Sequence, residues 1–363
     1  MSVVYKKLEQ VCDILDSQRV PITAKNRKAG EYPYYGANGL QDYVDNYIFD
    51  DELVLLAEDG GNFGSAERPI AYRVSGKCWV NNHAHVLKAR PEMNIDYLCY
   101  SLMFYNTNGI INGATRQKLT QAAMRKMVIP YREMSEQIEI VNKISRILSL
   151  IEERKKELEL LDELVKSRFI EMFDGEYPEE TLFNLCNIID YRGKTPEKVE
   201  SGLPFITAKN VKMHHMALEP REYISKETYD KVMVRGFPKE GDVVFTTEAP
   251  LGNVCRIPHF DTEFYIGQRI VTMQTEELNP IYLEYALSAE EFVRKYMRKS
   301  SGSTVKGIRV RLLEQLTIPV PLRVLQDDFA NFVLQTDKSK LAVQKSLDEL
   351  ETLKKSLMQE YFG

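Results

Sequence analysis

Several groups in this chain have residue types that could do chemistry, and each fails on spacing or number. Gly193-Lys194-Thr195 reads like the end of a phosphate-binding loop, in which a lysine and a hydroxyl meet a nucleotide. Such a loop needs a glycine five residues before Gly193, where this chain has Ile188, and Pro196 follows the threonine at once. His83 and His85 alternate in Asn81-Asn82-His83-Ala84-His85, so on a strand both point to one face. Two ligands do not complete a metal site, and no carboxylate or cysteine motif lies beside them in sequence. A base or phosphate contact, or a structural pair, is expected instead. Glu58-Asp59-Gly60-Gly61-Asn62 sets two carboxylates together, but its glycines favour a turn over a metal loop. Cys12, Cys78, Cys99, Cys186 and Cys255 form no CxxC pair and are too scattered for zinc.

Asn279-Pro280-Ile281-Tyr282 approaches the Asn-Pro-Pro-Tyr loop of adenine methyltransferases, but the second proline is missing. No Gly-rich cofactor loop accompanies it, and Pro280 is better placed to open a helix at its first turn. No catalytic residue, metal or cofactor is therefore expected in this chain.

The totals fit that reading. A length of 363 residues exceeds one ordinary core, so two or more domains are expected. An odd cysteine count without a leader-like N-terminus points to a reducing cytoplasm. No stretch reaches the roughly 20 apolar residues a membrane helix needs. The net charge of −5 excludes a generic polyanion binder, so any nucleic-acid role needs locally concentrated basic residues.

The chain repeats itself. Leu8-Glu9-Gln10-Val11-Cys12-Asp13-Ile14-Leu15-Asp16 matches Leu182 through Asp190 at a shift of 174 residues. Gly113-Ala114-Thr115 matches Gly302-Ser303-Thr304 at a shift of 189, as do Val128-Ile129-Pro130 with Thr317-Ile318-Pro319 and Gln137 with Gln326. The change of shift places an insertion in the globular part of the second copy.

The elements that must position any site follow from this period. Each copy opens with short strand-like runs such as Glu52–Ala57, Ala84–Leu87, Asp242–Thr246 and Arg269–Met273, separated by Gly-rich turns. Helical pieces such as Tyr282–Leu287 intervene, which predicts α+β (mixed α/β) domains. Each copy closes with a long helix. Between Pro130 and Gly175 there is no Pro or Gly. Ile144, Ile151, Leu158, Val165 and Met172 recur every seventh position, with Leu148 and Phe169 on the alternate seam and polar lapses at Lys155 and Asp162. The C-terminal helix, about Leu325 to Tyr361, carries Val343, Leu347, Leu350, Leu357 and Tyr361 on one seam. Helices of about 40 residues span about 60 Å and outrun a small domain. The two helices are therefore expected to pair with one another, antiparallel, as in a pseudo-dimer. The predicted division is 1–131 and 176–321 as two similar globular domains, with 132–175 and 322–363 as helical regions.

The order domain, long helix, domain, long helix resembles the specificity subunit of type I restriction–modification systems. Pro33-Tyr34-Tyr35-Gly36-Ala37-Asn38-Gly39, Ala57-Glu58-Asp59-Gly60 and Val80-Asn81-Asn82-His83-Ala84-His85-Val86 resemble the family's first recognition domain. Pro204-Phe205-Ile206-Thr207, Gly241-Asp242-Val243-Val244 and Ile266-Gly267-Gln268-Arg269 fill the same roles in the second. The resemblance covers the whole chain. It implies a non-catalytic subunit in which each recognition domain reads half of a bipartite double-stranded DNA site. It also implies that the helices set the spacer and dock methyltransferase subunits, two being expected. These bind S-adenosylmethionine and methylate adenine, and a restriction subunit is a further partner.

Basic residues collect around the Gly-x-Thr loops. The first copy has Arg116, Lys118, Arg125 and Lys126, and the second has Arg294, Lys295, Arg298, Lys299, Lys306, Arg309 and Arg311. Such clusters supply salt-sensitive phosphate contact. Base readout needs amides for adenine and arginine for guanine, which selects Asn38, Asn62, Asn82, Gln117, Asn210, Gln268 and Arg269. With the resemblance, Tyr35, His83, Lys209, Thr247, Ser303 and Thr304 complete the expected DNA-contacting set. Two readers on one face of B-DNA sit about 34–36 Å apart, a gap such helices can hold. Two rivals remain: a coiled-coil adaptor without DNA specificity, and an enzyme acting on nucleic acid alone. Salt-dependent duplex binding separates off the first, and turnover by the purified chain would reveal the second.

Overall fold

The computed structural model describes residues 3–113, 117–191 and 196–363. The chain forms two compact units. Residues 1–157 with 343–363 make the first, and 158–342 the second. The borders fall inside the two long helices, so each helix belongs partly to each unit.

The first unit runs β1 (Val4–Lys7), α1 (Leu8–Val11), β2 (Cys12–Ile14), β3 (Ala29–Gly36), β4 (Gly39–Val44), β5 (Phe49–Ala57), β6 (Ala71–Val80), β7 (Ala84–Ala89), α2 (Ile95–Met103), α3 (Gln121–Arg125), β8 (Val128–Tyr131) and the start of α4 (Met134–Phe173). The second runs β9 (Glu179–Thr181), α5 (Leu182–Leu185), β10 (Asn187–Asp190), β11 (Leu203–Ile206), β12 (Val211–Lys212), β13 (His215–Met216), β14 (Tyr223–Ile224), α6 (Lys226–Val232), β15 (Val243–Thr246), β16 (Val254–Arg256), β17 (Tyr265–Ile266), β18 (Ile270–Gln274), α7 (Pro280–Ser288), α8 (Glu290–Lys299), α9 (Val310–Leu313), β19 (Thr317–Pro319) and the start of α10 (Arg323–Phe362).

The duplication is structural. In the first unit the sheet order is β2-β7-β5-β6, extended by β3-β4, and in the second it is β10-β18-β15-β16. The next strand pairs in parallel in both copies, β3 with β6 and β11 with β17. The central strands are buried runs, which is why Leu53–Ala57 and Val243–Thr246 read as nearly continuous apolar sequence. Matching backbone bonds align the copies in detail. The Asn81 N–H donates to Tyr35 O, and the Gly267 N–H to Ile206 O. Tyr35, Ala37 and Asn38 thus correspond to Ile206, Ala208 and Lys209, at a shift of 171 residues. By Glu58 and Thr247 the shift is 189, so the extra residues lie between Asn210 and Thr246, where the second copy carries β12, β13, β14 and α6.

Both copies close onto their helix in the same way. The Asn94 side chain caps α2 and the Asn279 side chain caps α7. The Gln137 amide oxygen accepts from Asn94 N and that of Gln326 from Asn279 N, each at 2.8 Å. Tyr97 donates to Pro130 O and Tyr282 to Pro319 O. Pro280 opens α7 as expected, and Tyr282 belongs to this clasp rather than to a catalytic loop.

Within each unit the two helices lie antiparallel. In the first, Ile140, Val141 and Ile144 share a core with Met358, Tyr361 and Phe362. In the second, Val165 and Phe169 pack with Phe329, Ala330 and Val333. None of the seam residues read from the heptad is exposed. The two polar lapses pair across the seam, Lys155 with Glu351 at 4.0 Å and Asp162 with Lys340 at 2.6 Å.

Candidate nucleic-acid interface

The sites stand where β5 and β15 leave their sheets. In the first unit the Glu58 N–H donates to His83 O, and the Leu119 N–H donates to Glu58 O. In the second the Thr247 N–H donates to Arg269 O, and the Ile308 N–H to Thr247 O. The same three-stranded junction is therefore built twice, and Glu58, Asp59, Asn82 and His83 correspond to Thr247, Glu248, Gln268 and Arg269.

In the first unit this junction gathers most of the expected residues. Asn38 is exposed, and its amide donates to Gly60 O at 3.0 Å. Gly60 N donates to Gln117 O, and Lys118 lies 3.0 Å from Glu58. His83 Nδ1 is 2.6 Å from Asp59 Oδ1. Asn82 is exposed beside it, and Asn62 is half-buried in the turn that follows Gly60. Gly60 has φ of 65°, so the adjacent carboxylates do sit on a turn. Tyr35 is half-buried on β3. Its ring packs on Tyr72, 6.0 Å away, and burial pushes its hydroxyl pKa up, so it supports the sheet. Arg116 lies outside the described residues, as do Ala114, Thr115 and Gly193-Lys194-Thr195.

The histidines part company. His83 precedes β7 and is partly exposed, whereas His85 on β7 is wholly buried. His85 Nδ1 lies 2.6 Å from Asp16 Oδ2 and its Nε2 lies 2.9 Å from Leu119 O. Asp16, Glu58 and His85 converge as a metal site would. Here, though, Arg19 donates to Glu58 at 2.7 Å and Gln121 to Asp16 at 2.9 Å, and Lys118 joins them, so cationic and amide donors fill the cluster. Burial raises the Asp16 carboxyl, but bonds from His85, the Val86 N–H and Gln121 outweigh it and hold the pKa below the usual value. Glu58 is lowered likewise, with Arg19 and Lys118 outweighing burial. The sequence carries one signal for this cluster, the match of Asp16 with Asp190 between the copies.

In the second unit the junction opens into a groove of about 520 Å³ lined by Thr247, Glu248, Gln268, Arg269, Gly302 and Arg309. A smaller hollow of about 230 Å³ adjoins it, with Lys209, Phe205, Gln268 and Arg269 in its wall. Arg269 Nε donates to Glu248 Oε1 at 2.8 Å. Ser303, Thr304 and Lys306 are exposed on a loop closed by the paired Ser301 and Gly307. Gly302, at φ of 110°, must be glycine, because a Cβ there would meet Val305 O at 2.0 Å.

Three expectations change here. Asn210 is 1% exposed and spends its amide inside the fold, accepting from Thr207 N and Oγ1 and donating to Ala217 O and Pro220 O. It is a structural plug and does not reach a base. Thr247 is buried in the groove wall, with its N–H and carbonyl engaged by Arg269 and Ile308. The basic cluster is smaller than composition implied, because Lys295 binds Glu179 and Thr317, and Arg294 binds Glu290. Lys306, Arg309 and Arg311 have no ion-pair partner among the described residues. All five cysteines are free and buried, and burial pushes the Cys12 thiol up to about 12.

Residues 2–160 match the family model of the type I restriction modification DNA specificity domain. The first unit thus resembles that domain, and relatives that bear the specificity-subunit name align with most of the chain. A Haemophilus influenzae protein provisionally named as a type I restriction enzyme specificity subunit is 28% identical over 339 residues, covering 88% of this chain and 83% of its own. The MjaVIII specificity subunit of Methanocaldococcus jannaschii is 23% identical, covering 91% and 84%. The solved S subunit of Mycoplasma genitalium shares the fold at a TM-score of 0.62 and 14% identity, over 100% of this chain and 96% of that one. No helix among the described residues is long and apolar enough to cross a membrane.

Proposed function

We propose that this specificity subunit reads a bipartite duplex site, one half per unit, for a cytoplasmic complex that methylates adenine. The observation that carries this is the junction built twice, with His83 and Arg269, two side chains able to donate hydrogen bonds, in the same backbone position. In this reading Lys306, Arg309 and Lys118 contact phosphates beside the junctions, and Gln117 is one of the amides that read bases. Methyltransferase subunits, two of them, bring S-adenosylmethionine, and the chain holds no cofactor. A restriction subunit joins the same complex. The helices dock the methyltransferases, and the exposed leucines support this. Leu164 on α4 and Leu353 on α10 stand at equivalent positions 189 residues apart and are 49% and 45% exposed.

The test is binding of the full chain to duplex across a salt series. Replacing Lys306 and Arg309 with Ala should weaken binding to every sequence and reduce the salt slope by about one for each phosphate no longer neutralised. An unchanged affinity and slope would remove this face as the DNA face. A chain with no salt-dependent duplex binding at all would be the adaptor.

A further inference from the structure

We propose that Arg269, positioned by Glu248, imposes a guanine on the half-site read by the second unit, and that the first unit's counterpart, His83 on Asp59, does not. This rests on the DNA reading proposed above.

The two positions are the same place in the fold. Each accepts, through its carbonyl, the N–H of the first residue past the central strand, Glu58 at 2.8 Å and Thr247 at 2.9 Å. Each follows an amide residue, Asn82 or Gln268. Each is held by the carboxylate next along the chain from that strand-end residue, Asp59 at 2.6 Å or Glu248 at 2.8 Å.

Chemistry separates them. With Nε on Glu248, the Arg269 guanidinium still carries its Nη1 and Nη2 donors, a fork that matches guanine O6 and N7. A histidine with Nδ1 on a carboxylate has one ring nitrogen left and cannot form a bidentate pair. Exposure points the same way. Arg269 and Glu248 are 53% and 45% exposed, whereas His83 and Asp59 are 36% and 16% exposed. An exposed arginine–carboxylate pair is worth about fivefold at most in an equilibrium, while a bidentate arginine–guanine pair discriminates by about 5- to 150-fold. Guanine therefore competes successfully for the fork, and Glu248 keeps the side chain aimed while it does so.

The experiment maps methylated positions in host DNA when the full chain is expressed with its methyltransferase, as wild type, Arg269→Gln, Glu248→Gln and His83→Gln. The expected wild-type motif is split and has a fixed guanine in one half. Arg269→Gln should relax that position toward adenine, because glutamine pairs with adenine, and leave the other half and the spacer unchanged. Glu248→Gln should weaken the same guanine preference at least threefold without altering the salt slope of binding. His83→Gln should alter only the other half. A wild-type motif that persists in Arg269→Gln, or one changed in both halves, overturns the assignment. If Arg269→Gln methylates nothing, duplex competition with the purified chain decides. Retained salt-dependent binding with the guanine preference lost supports the assignment, and loss of all binding overturns it. A wild type without a split motif would instead overturn the DNA reading itself.

Discussion

At Asp16 a single carboxylate ties its own loop to β7 and α3 of the first unit. Its side chain is 4% exposed and meets His85, Arg19, Gln121 and the Val86 N–H. Removing one partner of such a buried network leaves charges unpaired and costs about 3–5 kcal/mol. Asp16→Ala should therefore lower the unfolding free energy of the first unit by that amount in a denaturant titration, and a change under about 1 kcal/mol would mean the network is not taut. The pH dependence follows from the lowered Asp16 pKa. Its contribution is present above the ordinary carboxylate pKa and is lost as pH falls through the lowered folded value. Asp16→Asn should flatten the acid limb of a stability profile. Gln137 and Gln326 make matching claims on the helix starts, and each →Ala change should cost about 1–3 kcal/mol, since it strands a buried N–H. Unequal losses well outside that range would show that the two clasps are not equivalent. Sequence says least at this scale. Asn210 has the amide that reads adenine, and its use as a plug depends on Thr207, Ala217 and Pro220 converging on it in space.

The elements are more legible. A Pro- and Gly-free stretch with a seven-residue apolar period leaves a helix few alternatives, and α4 and α10 span Met134–Phe173 and Arg323–Phe362. The lapses at Lys155 and Asp162 resemble defects in the seam and are ion pairs to the other helix. The outward leucines are the reverse case, apolar groups left in solvent. Leu164→Glu with Leu353→Glu should leave the melting temperature nearly unchanged, because both side chains are exposed already. The same pair should weaken methyltransferase association at least tenfold in sedimentation or titration calorimetry. Undiminished association would move the docking surface elsewhere on the helices. The strands are legible as apolar runs, but β11 is a short piece whose partners, β14 and β17, lie far from it in sequence.

For the whole molecule, a net charge of −5 and the proposed DNA-reading role are compatible because Lys306, Arg309 and Arg311, without an ion-pair partner among the described residues, sit beside the second junction. Phosphate contact by a few residues is enough for salt-sensitive affinity, and the acidic excess elsewhere limits non-specific binding. Two units with the same junction but different residues at it predict an asymmetric target. Deleting the gene should erase one split methylation motif from host DNA, with two unlike halves. Two identical halves would contradict readers that differ at His83 and Arg269.

The sequence alone determined the duplication and the helices, because these rest on periodicity and order along the chain, which local propensity and burial enforce. It also pointed to the loops beside the two junctions through Gly113, Gly302 and the strand ends. Only tertiary structure decided which side chains in that neighbourhood are free to act. Exposure and hydrogen-bond partners arise between residues distant in sequence. That is why Arg269 faces a groove, Asn210 fills a hole, and His83 and His85, two positions apart, serve different ends.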